Sequence, residues 1–190
     1  MLRSLLPVLA LNRREEIEQE FREAVGALRE LAARYAEKPE AENPAKQLAR
    51  AWRERVPLIY GGEVTEAVAR RWKTQINENA KQPAFWDVLP ELHHNEIMGW
   101  ESPLTGGFVY ALLRDPDEHP QVQKRLAITR ELLEERGHTV LEFQGQGHGL
   151  LARLLTLSYL GDWASFYLAI LSGVDPTPVG LIEAMKRKLA

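Results

Sequence analysis

The sequence predicts an α/β fold, a three-layer arrangement with a parallel sheet and helices on both faces. Three observations predict it. Short apolar runs near 56–60, 108–113 and 139–143 have strand length and are bounded by turn residues. Between and around them lie longer segments whose apolar residues recur every three or four positions. The two kinds of segment alternate, as βαβ units require.

The elements follow in order. Met1–Leu11 is apolar with one Arg and reads as a strand or docking segment. It has no small-residue cleavage site, and a charge run follows from Arg13. Residues 14–37 read as a helix, with Ile17, Phe21, Val25, Leu28, Leu31 and Tyr35 on one stripe. Pro39 ends it. A helix restarts near 44–54, with Asn43 as cap and Pro44 at the first helical position. Val56–Tyr60 is a buried strand feeding Gly61-Gly62, and 64–79 is the next helix. Segment 80–106 reads as irregular, with Pro83, Pro90 and Pro103 among large apolar residues such as Phe85, Trp86 and Trp100. Strand 108–113, helix 119–136 and strand 139–143 follow. A very apolar helix at 148–172 and an amphipathic one at 179–189 complete the chain.

Bulk properties narrow the function. The chain has 190 residues, 45% hydrophobic and 27% charged, which suits one folded domain with an appendage. We expect a connector segment and helix over 1–40 and the main domain over 41–190. The net charge of −3 gives no reason to expect nucleic acid or a membrane as partner. No uninterrupted apolar run approaches the roughly 20 residues of a spanning helix, so a cytoplasmic protein is expected. Without cysteine, disulfides, thiol chemistry and Cys-based zinc sites are excluded. No cofactor is expected.

Three places carry candidate chemistry, on the expectation that sites in such folds lie past the carboxyl ends of strands. Gly61-Gly62 before a helix can present N–H groups to an anion, but Glu63 disfavours phosphate and a plain tight turn is the simpler reading. Glu78 closes the helix after the first strand, and His93, His94 and Glu96 lie on the irregular segment. A carboxylate and an imidazole there form a candidate base and acid pair. His93, His94 and Glu96 are also conceivable metal ligands, although adjacent histidines point apart and no i, i+4 His pair exists, so no metal is expected. The third place is Lys186, Arg187 and Lys188 in the last helix, where a helix-dipole role competes with a functional one.

Several separated motifs resemble one family. Asn77-Glu78-Asn79-Ala80-Lys81, followed by Pro83-Ala84-Phe85, is one of them. Pro90-Glu91-Leu92, His94-Asn95-Glu96-Ile97 and Gly99-Trp100 form the next. Asn43-Pro44-Ala45-Lys46, Ala67-Val68-Ala69, Arg71-Trp72-Lys73, Gly161-Asp162-Trp163 with Ser165, and Asp175-Pro176-Thr177-Pro178-Val179 keep the same order. The pattern is similar to the C-terminal sugar-isomerase (SIS) domain of the bifunctional phosphoglucose/phosphomannose isomerases and spans about residues 43–190.

The resemblance implies aldose–ketose isomerisation of glucose 6-phosphate or mannose 6-phosphate with fructose 6-phosphate through a cis-enediol(ate). Glu78 stands at the position of the base that moves the proton between C2 and C1. His94 stands at the position of the ring-opening group, which in the family reaches the partner subunit's site. Lys186 is the candidate C-terminal Lys at the ring oxygen, with Lys188 the alternative. The implied partners are a sugar phosphate, a second copy in a homodimer and a first SIS domain. The family's Ser/Thr-rich phosphate loop belongs to that first domain, as does an enediolate-stabilising Arg. No Ser-x-Ser/Thr-Gly-Asn loop is found here, and Ser4, Ser102, Ser158, Ser165 and Ser172 are scattered. Another polypeptide therefore supplies the first domain, or the chain is an excised or degenerate half. Two other readings stand beside the isomerase half: a non-catalytic sugar-phosphate-binding or regulatory module, and a structural dimerisation unit.

Overall fold

The computed structural model describes residues 14–189. The expected strand or docking segment at Met1–Leu11 lies outside them. Helices α1 (Arg14–Glu37) and α2 (Pro44–Trp52) precede strand β1 (Val56–Gly61) and helix α3 (Glu66–Gln75). A single π-turn, Ile76–Ala80, extends α3. Strand β2 (Phe85–Val88) and three 3₁₀ turns within 91–107 lead to β3 (Phe108–Arg114). Helix α4 (Pro120–Glu135), β4 (Thr139–Gln144), α5 (Leu150–Leu171) and α6 (Gly180–Leu189) follow.

The four strands form one sheet in the order β2-β1-β3-β4, parallel throughout. In register, Leu58 faces Tyr110 and Phe85, and Tyr110 faces Val140. The three expected strands are present. The fourth, β2, lies inside the segment read as irregular. It is four residues long and carries no alternating pattern, so only its pairing with β1 reveals it.

Side-chain alternation splits the core in two. Ile59, Val109, Ala111 and Leu113 point to one face, where α1, α2, α3 and α5 bury Leu31, Leu48, Trp52, Trp72, Leu157 and Leu168 against them. Leu58, Tyr60, Tyr110 and Leu112 point to the other face, covered by Leu126 and Leu133 of α4 and by Leu92 and Trp100 of the 3₁₀ segment. Helices thus cover both faces, as the sequence predicts.

Helix α5 runs through the first layer against α1, α2 and α3. It is long and apolar enough, by length and composition, to cross a membrane, although no single apolar run in the sequence has that length. Its Ala152, Leu157, Leu160, Ala164 and Leu168 are core residues here. Gly161 lets α5 approach α3, because a Cβ there would meet the Trp72 indole. That indole donates to the Leu157 carbonyl at 2.9 Å and lies edge-on to Trp52 and Phe143. Helix α1 is part of the same layer through Leu31 and Tyr35, with the Tyr167 hydroxyl donating to the Tyr35 carbonyl at 2.5 Å.

Candidate active site

Glu78 sits in the π-turn that closes α3. Ile76 and Ala80 are buried on either side of it and fix the turn's inner face. The Asn77 amide donates to the Gln82 carbonyl at 2.8 Å. The Asn79 amide donates to Ser165 Oγ at 2.8 Å, and Ser165 donates to the Asp162 carbonyl at 2.8 Å. Asp162 also holds Arg71 of α3 through two bonds of 3.0 and 2.8 Å. Lys81 takes a left-handed conformation, φ 55°. Its ammonium donates to the Glu78 carbonyl at 2.5 Å and the Pro176 carbonyl at 3.1 Å. The turn is therefore tied to α5 and to the segment leading into α6. The Glu78 carboxylate itself is exposed and has no hydrogen-bond or ion-pair partner among the described residues. π-turns of this kind recur at functional sites, because they displace one residue from the helical ladder.

The placement of Glu78 differs from expectation. Helix α3 returns antiparallel to the strands, so its end lies at their amino edge. Gln82, just past the turn, donates to the carbonyls of Trp52 and Arg55, immediately before β1. The premise that this candidate lies past the carboxyl ends of the strands is thus corrected. A βαβ crossover reverses direction once, and only the carboxyl end of the helix carries this motif.

The two neighbouring histidines do point apart. His93 turns inward, with Nε2 2.7 Å from Thr129 Oγ1 and Nδ1 3.1 Å from Arg125 Nη1. A guanidinium can only donate, so Nδ1 accepts and the proton resides on Nε2. Burial, reinforced by the Arg125 charge, holds this imidazole below its ordinary range. Glu96 also turns inward and accepts the Tyr60 hydroxyl at 2.5 Å, while Trp100 Nε1 lies 3.3 Å from the same oxygen. Burial raises the Glu96 carboxyl, with Asp87 adding to the rise and the Tyr60 bond opposing it. His94 lies between these anchors, exposed and without a partner among the described residues. His93, His94 and Glu96 do not converge, and no group of three or more acidic or histidine side chains among the described residues could hold a metal ion.

One chain does not bring Glu78 and His94 together. Glu78 belongs to the helical layer on one face of the sheet and His94 to the 3₁₀ segment on the other. Their closeness as a pair, suggested by sequence separation alone, is not found within the chain. Lys186 lies on α6, which has no buried residue, and Lys186 is exposed. The Lys81–Pro176 bond places the start of this C-terminal segment beside the Glu78 turn.

At the carboxyl end of β1, the Gly61-Gly62 turn has an occupant the sequence did not reveal. Glu118 Oε1 accepts the backbone N–H groups of Val64 at 2.9 Å and Thr65 at 3.2 Å. Beside it, Arg153 makes a two-bond pair with Asp115 at 2.8 and 3.0 Å and reaches Asp117 at 2.5 Å. The available signal was Arg153 itself. A lone guanidinium inside an apolar helix demands an acidic partner, but which one depends on the fold.

The parallel sheet with helical layers on both faces is the fold of a sugar-isomerase domain. Structures of this class share the fold, among them a glucose-6-phosphate isomerase-like protein from Thermus thermophilus, at TM-score 0.74 and 29% identity over 96% of this chain and 60% of that one. Residues 41–189 match the family described as the bacterial phospho-glucose isomerase C-terminal SIS domain, and the chain belongs to that family. It is 47% identical over 135 residues to a bifunctional phosphoglucose/phosphomannose isomerase of Aquifex aeolicus, covering 70% of this chain and 42% of the relative. A protein of the same description from Caldicellulosiruptor bescii is 42% identical over 180 residues, covering 93% and 53%. The chain thus spans about half the length of these relatives.

Proposed function

We propose that the chain is the C-terminal half of a glucose-6-phosphate/mannose-6-phosphate isomerase, converting either sugar phosphate to fructose 6-phosphate through an enediol(ate). The observation that carries this reading is the Glu78 turn. Its backbone is secured by Asn77, Asn79, Lys81 and Ser165, while its carboxylate is left unpaired and exposed. A base that shuttles a proton between neighbouring carbons needs that combination of fixed position and free oxygens.

In this reading, His94 of one subunit assists ring opening at the Glu78 site of a second subunit, and Lys186 contacts the ring oxygen. The location of Glu78 and His94 on opposite faces of the sheet supports a site built between copies. Exposed Phe166 and Ile170 on α5, with Ile182 and Met185 on α6, supply apolar surface for such an assembly. A complementary SIS domain supplies the phosphate loop, helix α1 and the residues before it form the connector to that domain, and the assembly works in the cytoplasm. The test is turnover of fructose 6-phosphate by the chain combined with a homologous first SIS domain, fused or added. Activity lost on replacing Glu78 by Gln supports the assignment. An active assembly indifferent to that change refutes it.

A further inference from the structure

In open parallel sheets, ligands enter the crevice outside the carboxyl ends of the strands, where successive connections leave in opposite directions. Here that point lies between β1, which connects onward to β2, and β3, which connects to β4 on the other side. Its walls are the Gly61–Thr65 turn and the Asp115–Glu118 turn. The first wall leads into α3, whose amino end favours an anion. By position and chemistry this is where the sheet would hold a phosphate.

The chain places its own carboxylate there. Glu118 is 3% exposed, and its Oε1 takes the Val64 and Thr65 N–H groups and lies 3.4 Å from Thr65 Oγ1. Thr65 Oγ1 in turn accepts the Gly62 N–H at 2.9 Å, so the Gly62, Val64 and Thr65 N–H groups are all taken internally. The fit is close enough that a Cβ on Gly62 would collide with the Glu118 carboxylate. Glu118 is further held by its backbone, whose carbonyl accepts from Gln123 at 2.9 Å. Asp115, on the same wall, is buried in its pair with Arg153, so the Arg153 guanidinium is not free to draw a phosphate in.

We propose that Glu118 is a specificity-determining residue that excludes phosphate from the crevice between β1 and β3, so that a phosphorylated substrate must place its phosphate on another domain. The proposal rests on the isomerase reading only in making a phosphate relevant, and its test measures no turnover.

The experiment titrates inorganic phosphate into the full chain while following backbone amide resonances and melting temperature. In the native chain the Gly62, Val64 and Thr65 amides should not shift. In Glu118→Ala the same amides should shift to saturation, with an affinity at least about tenfold above any seen for the native chain. The melting temperature should rise with phosphate in the variant alone. If Glu118→Ala is unfolded without anions, phosphate should restore its fold, while Glu118→Gln, which keeps the crevice filled, should fold and bind none. Saturable shifts of these amides in the native chain would overturn the proposal. So would a Glu118→Ala chain that phosphate neither shifts nor refolds.

Discussion

Asn79 hands a hydrogen bond to Ser165 across 86 residues of chain, joining the Glu78 turn to the central helix α5. Ser165 is fully buried and is itself oriented by its bond to the Asp162 carbonyl. Replacing Ser165 by Ala leaves the Asn79 amide without its acceptor. A loss of about 1–3 kcal/mol is expected, or roughly 2–4 °C in melting temperature per kcal/mol for a chain of this size. Thermal denaturation of Ser165→Ala with unchanged stability would show that the bond contributes nothing.

Glu78→Gln separates chemistry from folding. The carboxylate has no partner among the described residues, so the melting temperature should stay within about 1 °C of native, in line with exposed substitutions. In an active assembly kcat should fall about 10²- to 10⁴-fold, with KM nearly unchanged. His94→Ala in the same assembly should slow conversion of the cyclic sugar and spare an open-chain analogue.

Gly161→Ala sets a helix-propensity gain of about 1 kcal/mol against a collision with the Trp72 indole. The indole cannot swing away, because the Leu157 carbonyl holds its nitrogen and Trp52 and Phe143 pack against its ring. Overpacking should win, with a net loss of about 1–3 kcal/mol measured by denaturant unfolding. A stabilised variant would mean that α5 shifts freely over α3.

Arg153 and Asp115 test the buried ion pair. Arg153→Met strands a carboxylate in the core and should cost about 3–5 kcal/mol. The double change Arg153→Met with Asp115→Asn removes the charge as well, while Asn can still accept the Asp117 N–H as Asp115 does now. It should recover part of the loss in a double-mutant cycle. Additive losses would argue that the pair is not coupled.

Glu96 predicts a pH dependence with a definite sign. Its folded carboxyl lies above the ordinary value of 4.5, chiefly through burial. The folded chain then holds the proton more tightly than the unfolded chain. The contribution is fully stabilising below the unfolded value and is lost as pH rises through the folded one. Glu96→Gln, which can still accept the Tyr60 hydroxyl, should flatten this part of the stability profile above pH 4.5. An unchanged profile would remove Glu96 as its source.

Local pattern made much of this protein readable from sequence. Apolar runs with flanking turns marked β1, β3 and β4, three- and four-residue spacing marked α1 and α3, the Asn43-Pro44 cap marked α2, and a long apolar stretch marked α5, because these signals lie within one element. The Asn77–Lys81 and His94–Ile97 motifs were legible for the same reason. What the tertiary structure alone decided involves partners distant in sequence. Strand β2 exists because β1 offers it an edge. Glu118 reaches amides 53 and 54 residues away, and Arg153 finds Asp115 38 residues away. No periodicity encodes such pairings, since each is selected by which side chains the folded layers bring within hydrogen-bond reach. The separation of Glu78 and His94 onto opposite faces has the same origin: the crossover through α3 and the return through the 3₁₀ segment pass on different sides of the sheet.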